Sequence, residues 1–212
     1  MKKRLFTMGN FIKKMIDFSI SFLVLTFLSP FLVLIAIAIK IDSNGPVFFK
    51  QERVGKKGKL FYIYKFRSMV MGAEKIQIGN VKGENDTRIT KVGMFIRRYS
   101  LDELPQLINI LKGDMSIVGP RPTLKYQVEQ YNDFQMRRLE VKPGITGWAQ
   151  VNGRNNLTWS EKIKLDNWYI DNWSIFLDIK VLYKTMFVLF RKNEVYYGSK
   201  IQEFKKIDTL KP

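Results

Sequence analysis

The chain has 212 residues, a length that fits one domain with an appendage, and its 36 lysines and arginines against 19 acids give a formal net charge of +17. Histidine and cysteine are absent, which excludes a Ser-His-Asp triad, a histidine general base, a His-ligated metal, a thiol nucleophile, a zinc cage and any disulfide framework. Catalysis must run on Asp, Glu, Lys, Arg, Tyr, Ser or Thr, and so basic a chain prefers polyanions: nucleic acid, nucleotides or anionic lipid.

Residues 18–39 form a run of 22 without a charge. As one straight helix this run is about 33 Å long, just enough to cross a hydrocarbon core of about 30 Å. Ser29-Pro30 sits inside it. Proline removes a backbone donor and kinks or breaks a helix, which leaves arms of only about 13–18 Å, half a bilayer each. Both flanks are basic, with Lys2, Lys3, Arg4, Lys13 and Lys14 before and Lys40, Lys50, Arg53, Lys56, Lys57 and Lys59 after. Lysine and arginine favour the cytoplasmic face. A re-entrant helix-break-helix satisfies both clusters, and Ser29 is placed to bond a freed carbonyl. A kinked spanning helix and a cleaved signal peptide are the alternatives; the apolar run is long for the latter.

Gly45-Pro46 punctuates the end of this segment. Residues 47–54 and 60–67 are rich in Val, Ile, Phe and Tyr around Gly55-Lys56-Lys57-Gly58-Lys59, and read as a β-hairpin. The turn is no phosphate loop, because the spacing is wrong and Leu60 follows the last lysine. Lys65 and Arg67 share a face on an alternating strand, either as a solvated edge or aimed jointly at a pyrophosphate. Residues 72–95 carry Gly72, Gly79, Gly83 and Gly93 and look loop-like. Leu104, Leu107, Ile108 and Leu111 recur at helical spacing, with Gly113 as the stop. Residues 124–140 read as a further helix with Leu124, Val128, Tyr131 and Leu139 in a stripe, and 143–153 as irregular. In 174–190, Ile175, Ile179, Leu182, Tyr183, Met186 and Phe190 share a face flanked by Trp168, Trp173, Lys180, Lys184 and Arg191. That pattern fits a membrane-interface helix or one packed on a core.

The densest chemistry lies in 97–122, where Arg97, Arg98, Asp102, Glu103, Asp114 and Arg121 gather around a helix start. With Asp102 as N-cap, Pro105 falls at N3 at no cost. With Ser100 as N-cap, Glu103 completes a capping box but Pro105 lies deeper. Two acids there complement the helix dipole and need no other role. The same geometry also binds phosphate, and a carboxylate beside arginines can attack phosphorus or hold Mg²⁺.

These residues carry a resemblance. The run broken at Ser29-Pro30, Gly45-Pro46-Val-Phe-Phe-Lys-Gln51, Tyr64-Lys-Phe-Arg-Ser-Met69, Ser100-Leu-Asp-Glu-Leu104, Leu111-Lys-Gly-Asp-Met-Ser116, Val118-Gly-Pro-Arg-Pro122 and Lys142-Pro-Gly-Ile-Thr-Gly-Trp-Ala-Gln-Val-Asn-Gly-Arg-Asn155 resemble, in order, the bacterial sugar transferases, the small monotopic phosphoglycosyl transferases. The resemblance spans almost the whole chain and matches the minimal form, without the multi-span N-terminal region of larger relatives.

It implies a mainly helical α+β enzyme of the bacterial cytoplasmic membrane. Residues 1–45 would form the re-entrant segment. Residues 46–212 would form a catalytic domain facing the cytoplasm, with a small β-hairpin and amphipathic helices on inner-leaflet lipid. It further implies transfer of a sugar-1-phosphate from a UDP-sugar to a polyprenyl phosphate, with release of UMP. Asp102 would be the nucleophile of a covalent phosphosugar intermediate and Glu103 its support, both with Mg²⁺. Lys65, Arg97 and Arg121 are the motif-matched cations, and Arg67 and Arg98 are candidates by proximity. Rival readings are direct transfer in a ternary complex, a non-catalytic envelope scaffold, and a membrane-anchored nucleic-acid-binding protein. The last lacks any nucleic-acid module.

Overall fold

The computed structural model describes residues 2–73, 86–153 and 156–190, with side chains from residue 9 to residue 188 within them. Gly79, Gly83, Asn155 and Arg191, and the side chains of Lys2, Lys3, Arg4 and Phe190, lie outside the described residues. The architecture is mainly helical. In chain order it comprises α1 (Lys2–Asp42), β1 (Phe48–Val54), β2 (Leu60–Phe66), α2 (Lys91–Arg98), α3 (Gln106–Leu111), β3 (Ser116–Val118), α4 (Lys125–Val128), α5 (Asp133–Met136), β4 (Gly144–Thr146), α6 (Trp148–Val151), α7 (Trp159–Asp171) and α8 (Ile175–Phe190). Short 3₁₀ turns cover Lys56–Gly58, Leu101–Glu103 and Arg137–Glu140.

Where a break is expected at Ser29-Pro30, α1 runs through Pro30 as one 41-residue helix. The proline leaves the Thr26 carbonyl without its usual amide, and the Ser29 hydroxyl donates to that carbonyl at 2.8 Å. This local repair lets the helix continue. Among the described residues, α1 is the one helix long and apolar enough to cross a membrane.

Both ends of α1 dock on the rest of the chain. Near its start, Lys13 pairs with Asp178 at 2.5 Å, and the buried Asp17 accepts from the Ser116 hydroxyl at 2.7 Å and the Ile117 amide at 3.2 Å. Val24 and Leu25 then pack on a cluster of Phe61, Ile63, Leu107, Ile110 and Met115. At the other end Ile35 and Ile39 join Phe66 and Ile96, and Asp42 accepts from the Val92 amide at 2.9 Å. Between these docked stretches, residues 26–31 are all exposed.

The hairpin forms as expected. β1 and β2 pair antiparallel, with Phe48 opposite Phe66 and Val54 opposite Leu60. A second sheet escapes the sequence reading: β3 and β4 pair in parallel, Ser116 with Gly144 and Val118 with Thr146. Strands of three residues are too short to show periodicity. The helix expected over 124–140 is corrected to α4, α5 and a 3₁₀ turn, because Asn132 starts a new helix by capping the Gln135 amide. The loop-like reading of 72–95 is also corrected, since α2 begins at Lys91 with the Thr90 hydroxyl accepting from the Gly93 amide.

α7 was not anticipated, although Thr158 and Glu161 form a capping box at its start. α8 packs on the core, though mainly through residues outside the expected apolar stripe. Leu177 and Val181 are buried on Val118 and Tyr169, while Phe176, Ile179, Tyr183 and Met186 face outward.

Candidate active site

Asp102 and Glu103 lie on the 3₁₀ turn Leu101–Glu103, entered through Ser100 in the left-handed region (φ 55°). Both capping schemes for these acids are thereby corrected: the α-helix starts only at Gln106, with Pro105 in the cap position. The turn is seated by Leu101, which packs on the cluster of Ile35, Ile39, Phe66 and Ile96. The turn that carries the carboxylates is thus seated against α2 and β2.

The two acids have different partners. Glu103 Oε1 accepts from Lys65 Nζ at 2.6 Å and from Arg121 Nη2 at 2.8 Å. Burial by itself would raise the Glu103 pKa, but the charges and hydrogen bonds of Arg121 and Lys65 prevail and hold it well below the usual carboxylate range. The Asp102 side chain is only 9% exposed and has no hydrogen bond or ion pair among the described residues. Burial pushes its pKa up, the Glu103 charge adds to the rise, and Lys65, Arg97 and Arg121 oppose it.

Three backbone arrangements aim the cations. β2 delivers Lys65 as the penultimate residue of its strand. α2 delivers Arg97, whose Nη1 contacts the Ser68 hydroxyl at 3.3 Å and whose Nε is buried without a partner. α2 comes this close because Gly93 has no side chain: a Cβ there would meet the Ser68 carbonyl oxygen at 2.1 Å. Arg121 hangs from the loop after β3, where Gly119 and Gly144 abut so tightly that a Cβ on Gly144 would meet the Gly119 nitrogen at 2.1 Å. The parallel β3–β4 pair is thus the mount for Arg121.

Two expected cations are placed elsewhere. Arg67 is buried at the C-terminal end of α1, donating to the Asn44 and Ser43 carbonyls at 2.7 Å and to the Ser43 hydroxyl at 2.9 Å. Past the end of β2 the strand alternation no longer holds, and the uncapped carbonyls of α1 claim the guanidinium. Arg98 is exposed and shows no contact with either carboxylate.

Arg53 belongs to the site, although the sequence reading treated it only as part of a basic flank. Its Nη2 donates to the Gln51 side chain at 2.6 Å, its Nη1 contacts the Pro122 carbonyl at 3.4 Å, and its Nε is buried without a partner. Burial, and next the neighbouring Arg121, lower its pKa to about 10. Alternation along β1 would place Arg53 on one side of the hairpin, but the approach of the segment up to Pro122 across it is a tertiary event.

Counting formal charges, Lys65, Arg53, Arg97 and Arg121 stand against Asp102 and Glu103, a surplus of two positive charges that suits an incoming diphosphate. Among the described residues no group of three or more potential metal-ligating side chains occurs. Two adjacent carboxylates do fit Mg²⁺, which takes one or two carboxylates plus substrate phosphates. Both cationic bonds to Glu103 fall on Oε1.

Residues 8–192 match the family described as Bacterial sugar transferase. The chain is 47% identical over 175 residues to the uncharacterized sugar transferase EpsL of Bacillus subtilis, covering 82% of this chain and 85% of that protein. It is 42% identical to the undecaprenyl-phosphate galactose phosphotransferase of Salmonella typhimurium, and 44% identical to the UDP-glucose:undecaprenyl-phosphate glucose-1-phosphate transferase of Escherichia coli. Those two alignments cover 89% of this chain but 42% of each relative, so the chain spans less than half of their length. A match over most of the chain, reached by sequence and consistent with the paired carboxylates and their cations, places it plainly: the chain belongs to the bacterial sugar transferase family.

Proposed function

We propose that the chain transfers a sugar-1-phosphate from a UDP-sugar to a polyprenyl phosphate and releases UMP, through a covalent intermediate on Asp102. The observation that carries this reading is the division of labour between the two acids. Glu103 is locked by Lys65 and Arg121, while the adjacent Asp102 is buried and unpaired. A largely buried carboxylate with no protein partner on its oxygens is available for a reaction.

An Asp102 oxygen attacks the sugar-bearing β-phosphorus. The bond from that phosphorus to the bridging oxygen breaks, and UMP leaves with the electron pair. An oxygen of the polyprenyl phosphate then attacks the same phosphorus, and the aspartyl bond breaks to return the carboxylate. The acceptor oxygen is already anionic, so no strong base is required, in keeping with a chain that has no histidine. Arg53, Arg97 and Arg121 bind and orient the diphosphate, and Lys65 holds Glu103 in place. Mg²⁺ held by Asp102 and Glu103 with the donor phosphates would supply further neutralisation of the phosphoryl oxygens.

In this reading residues 1–45 are the membrane-associated segment and 46–212 the part facing the cytoplasm. Both ends of α1 dock on the same body while residues 26–31 stand clear of it. That arrangement supports a helix held on one face of the inner membrane over one that crosses it. A straight crossing would carry one docked end away from the domain.

The test supplies UDP-sugars one at a time with labelled UMP and no acceptor. Label entering the UDP-sugar supports the covalent route. Full turnover with acceptor but no exchange without it would replace that route by direct transfer. UMP release across a panel of UDP-sugars, with polyprenyl phosphate and Mg²⁺, identifies the donor.

A further inference from the structure

We propose that the open groove between α1 and α2 is the seat of the acceptor's isoprenoid chain; the proposal rests on the polyprenyl-phosphate reading above. The groove has a volume of about 430 Å³, within the range of about 300–1,000 Å³ typical of small-molecule sites. Phe31, Leu34 and Ala38 form its α1 wall, Val92 and Phe95 form its α2 wall, and Lys91 contributes its one charge. Such a lining suits a hydrocarbon and not a nucleotide.

The position of the groove identifies which hydrocarbon. One end begins at Phe31, where the exposed 26–31 stretch of α1 ends, so it opens towards lipid. Its floor is Ile35 and the almost fully buried Ile96, and the cluster they form also contains Leu101, the residue before Asp102. Arg97 follows Ile96 in sequence, and the turn that carries Asp102 packs against the same helix α2. A chain lying in the groove would therefore present its phosphate end to Arg97 and the reacting carboxylate. An acyl chain of bulk lipid has the same affinity for apolar walls but no reason to be led to that carboxylate.

The test uses the full chain in lipid nanodiscs, with Ala38→Trp to fill the groove. The expected result is a fall of about tenfold or more in kcat/KM for undecaprenyl phosphate, with UDP-sugar/UMP exchange in the absence of acceptor unchanged. Unchanged acceptor kinetics would overturn the proposal. As a second measurement, the wild-type protein is photolabelled with a diazirine-bearing undecaprenyl phosphate and the labelled peptides are mapped. Label on 31–38 and 91–96 that excess phosphatidylglycerol does not displace supports the proposal, including where Ala38→Trp fails to fold. Label elsewhere on α1, or displacement by phosphatidylglycerol, makes the groove an annular-lipid site and ends it. Loss of the covalent route alone would appear as absent exchange in the wild-type protein, with acceptor labelling intact.

Discussion

Two of the places among the described residues where buried carboxylates meet arginines differ in how their charges are matched. Asp166 and Arg138 are almost fully buried and pair at 2.8 Å. Arg138 Nη2, which makes that pair, also donates to the Arg121 carbonyl at 3.2 Å, Nη1 donates to the Tyr131 hydroxyl at 2.7 Å, and the Trp159 ring lies 5.2 Å away. Each formal charge has its opposite, and the pair braces α7 against the loop that carries Arg121. In the Asp102–Glu103 turn the balance is broken: one acid takes two cations and the other takes none. A paired carboxylate holds structure together, whereas an unpaired one, kept buried by its neighbours, is available for chemistry.

Asp102→Asn should break this contrast most sharply. It should lower kcat by about 10⁴-fold or more in a UMP-release assay, as removal of a nucleophile does. The fold should not suffer. A carboxylate whose folded pKa is raised opposes folding once the pH exceeds its ordinary value, so the neutral amide should keep or raise the thermal midpoint. Loss of stability in Asp102→Asn would mean that the carboxylate is structural after all.

Arg138→Leu is the mirror image. It leaves Asp166 buried and uncompensated and should cost about 3–5 kcal/mol in denaturant unfolding, with Arg138→Leu/Asp166→Leu recovering much of it. Arg53→Ala should remove charge-assisted contacts to the donor worth about 1.5–3 kcal/mol, read as about 10–100-fold in kcat/KM for the UDP-sugar. An unaltered value would remove Arg53 from the site.

A finer effect concerns pH. The reactive carboxylate must be ionised, so the acid limb of kcat/KM should lie above the ordinary Asp value of 3.8. Glu103 is one cause of that rise and also engages Lys65 and Arg121. In the residual activity of Glu103→Gln the limb should therefore move to lower pH. The smallest effect is expected from Arg98→Ala, which should change stability by less than about 0.5 kcal/mol and leave turnover alone.

Sequence alone determined the elements with a strong local signature. The charge-free run made α1 one long apolar helix, β-branched and aromatic residues around Gly55 and Gly58 made the hairpin, and the spacing of Leu107 and Leu111 made a helix that stops before Gly113. Absence of histidine and cysteine reduced the available chemistry to carboxylates and cations, and ordered motifs pointed to the family. Tertiary structure decided what depends on encounter between distant segments. Lys65 and Arg121 meet on one oxygen of Glu103 from 38 and 18 residues away. Arg67 is drawn off to the end of α1, and Arg53 is recruited when the 118–122 loop crosses it. Local periodicity records which face a side chain takes on its own element, but not which other element will lie across that face.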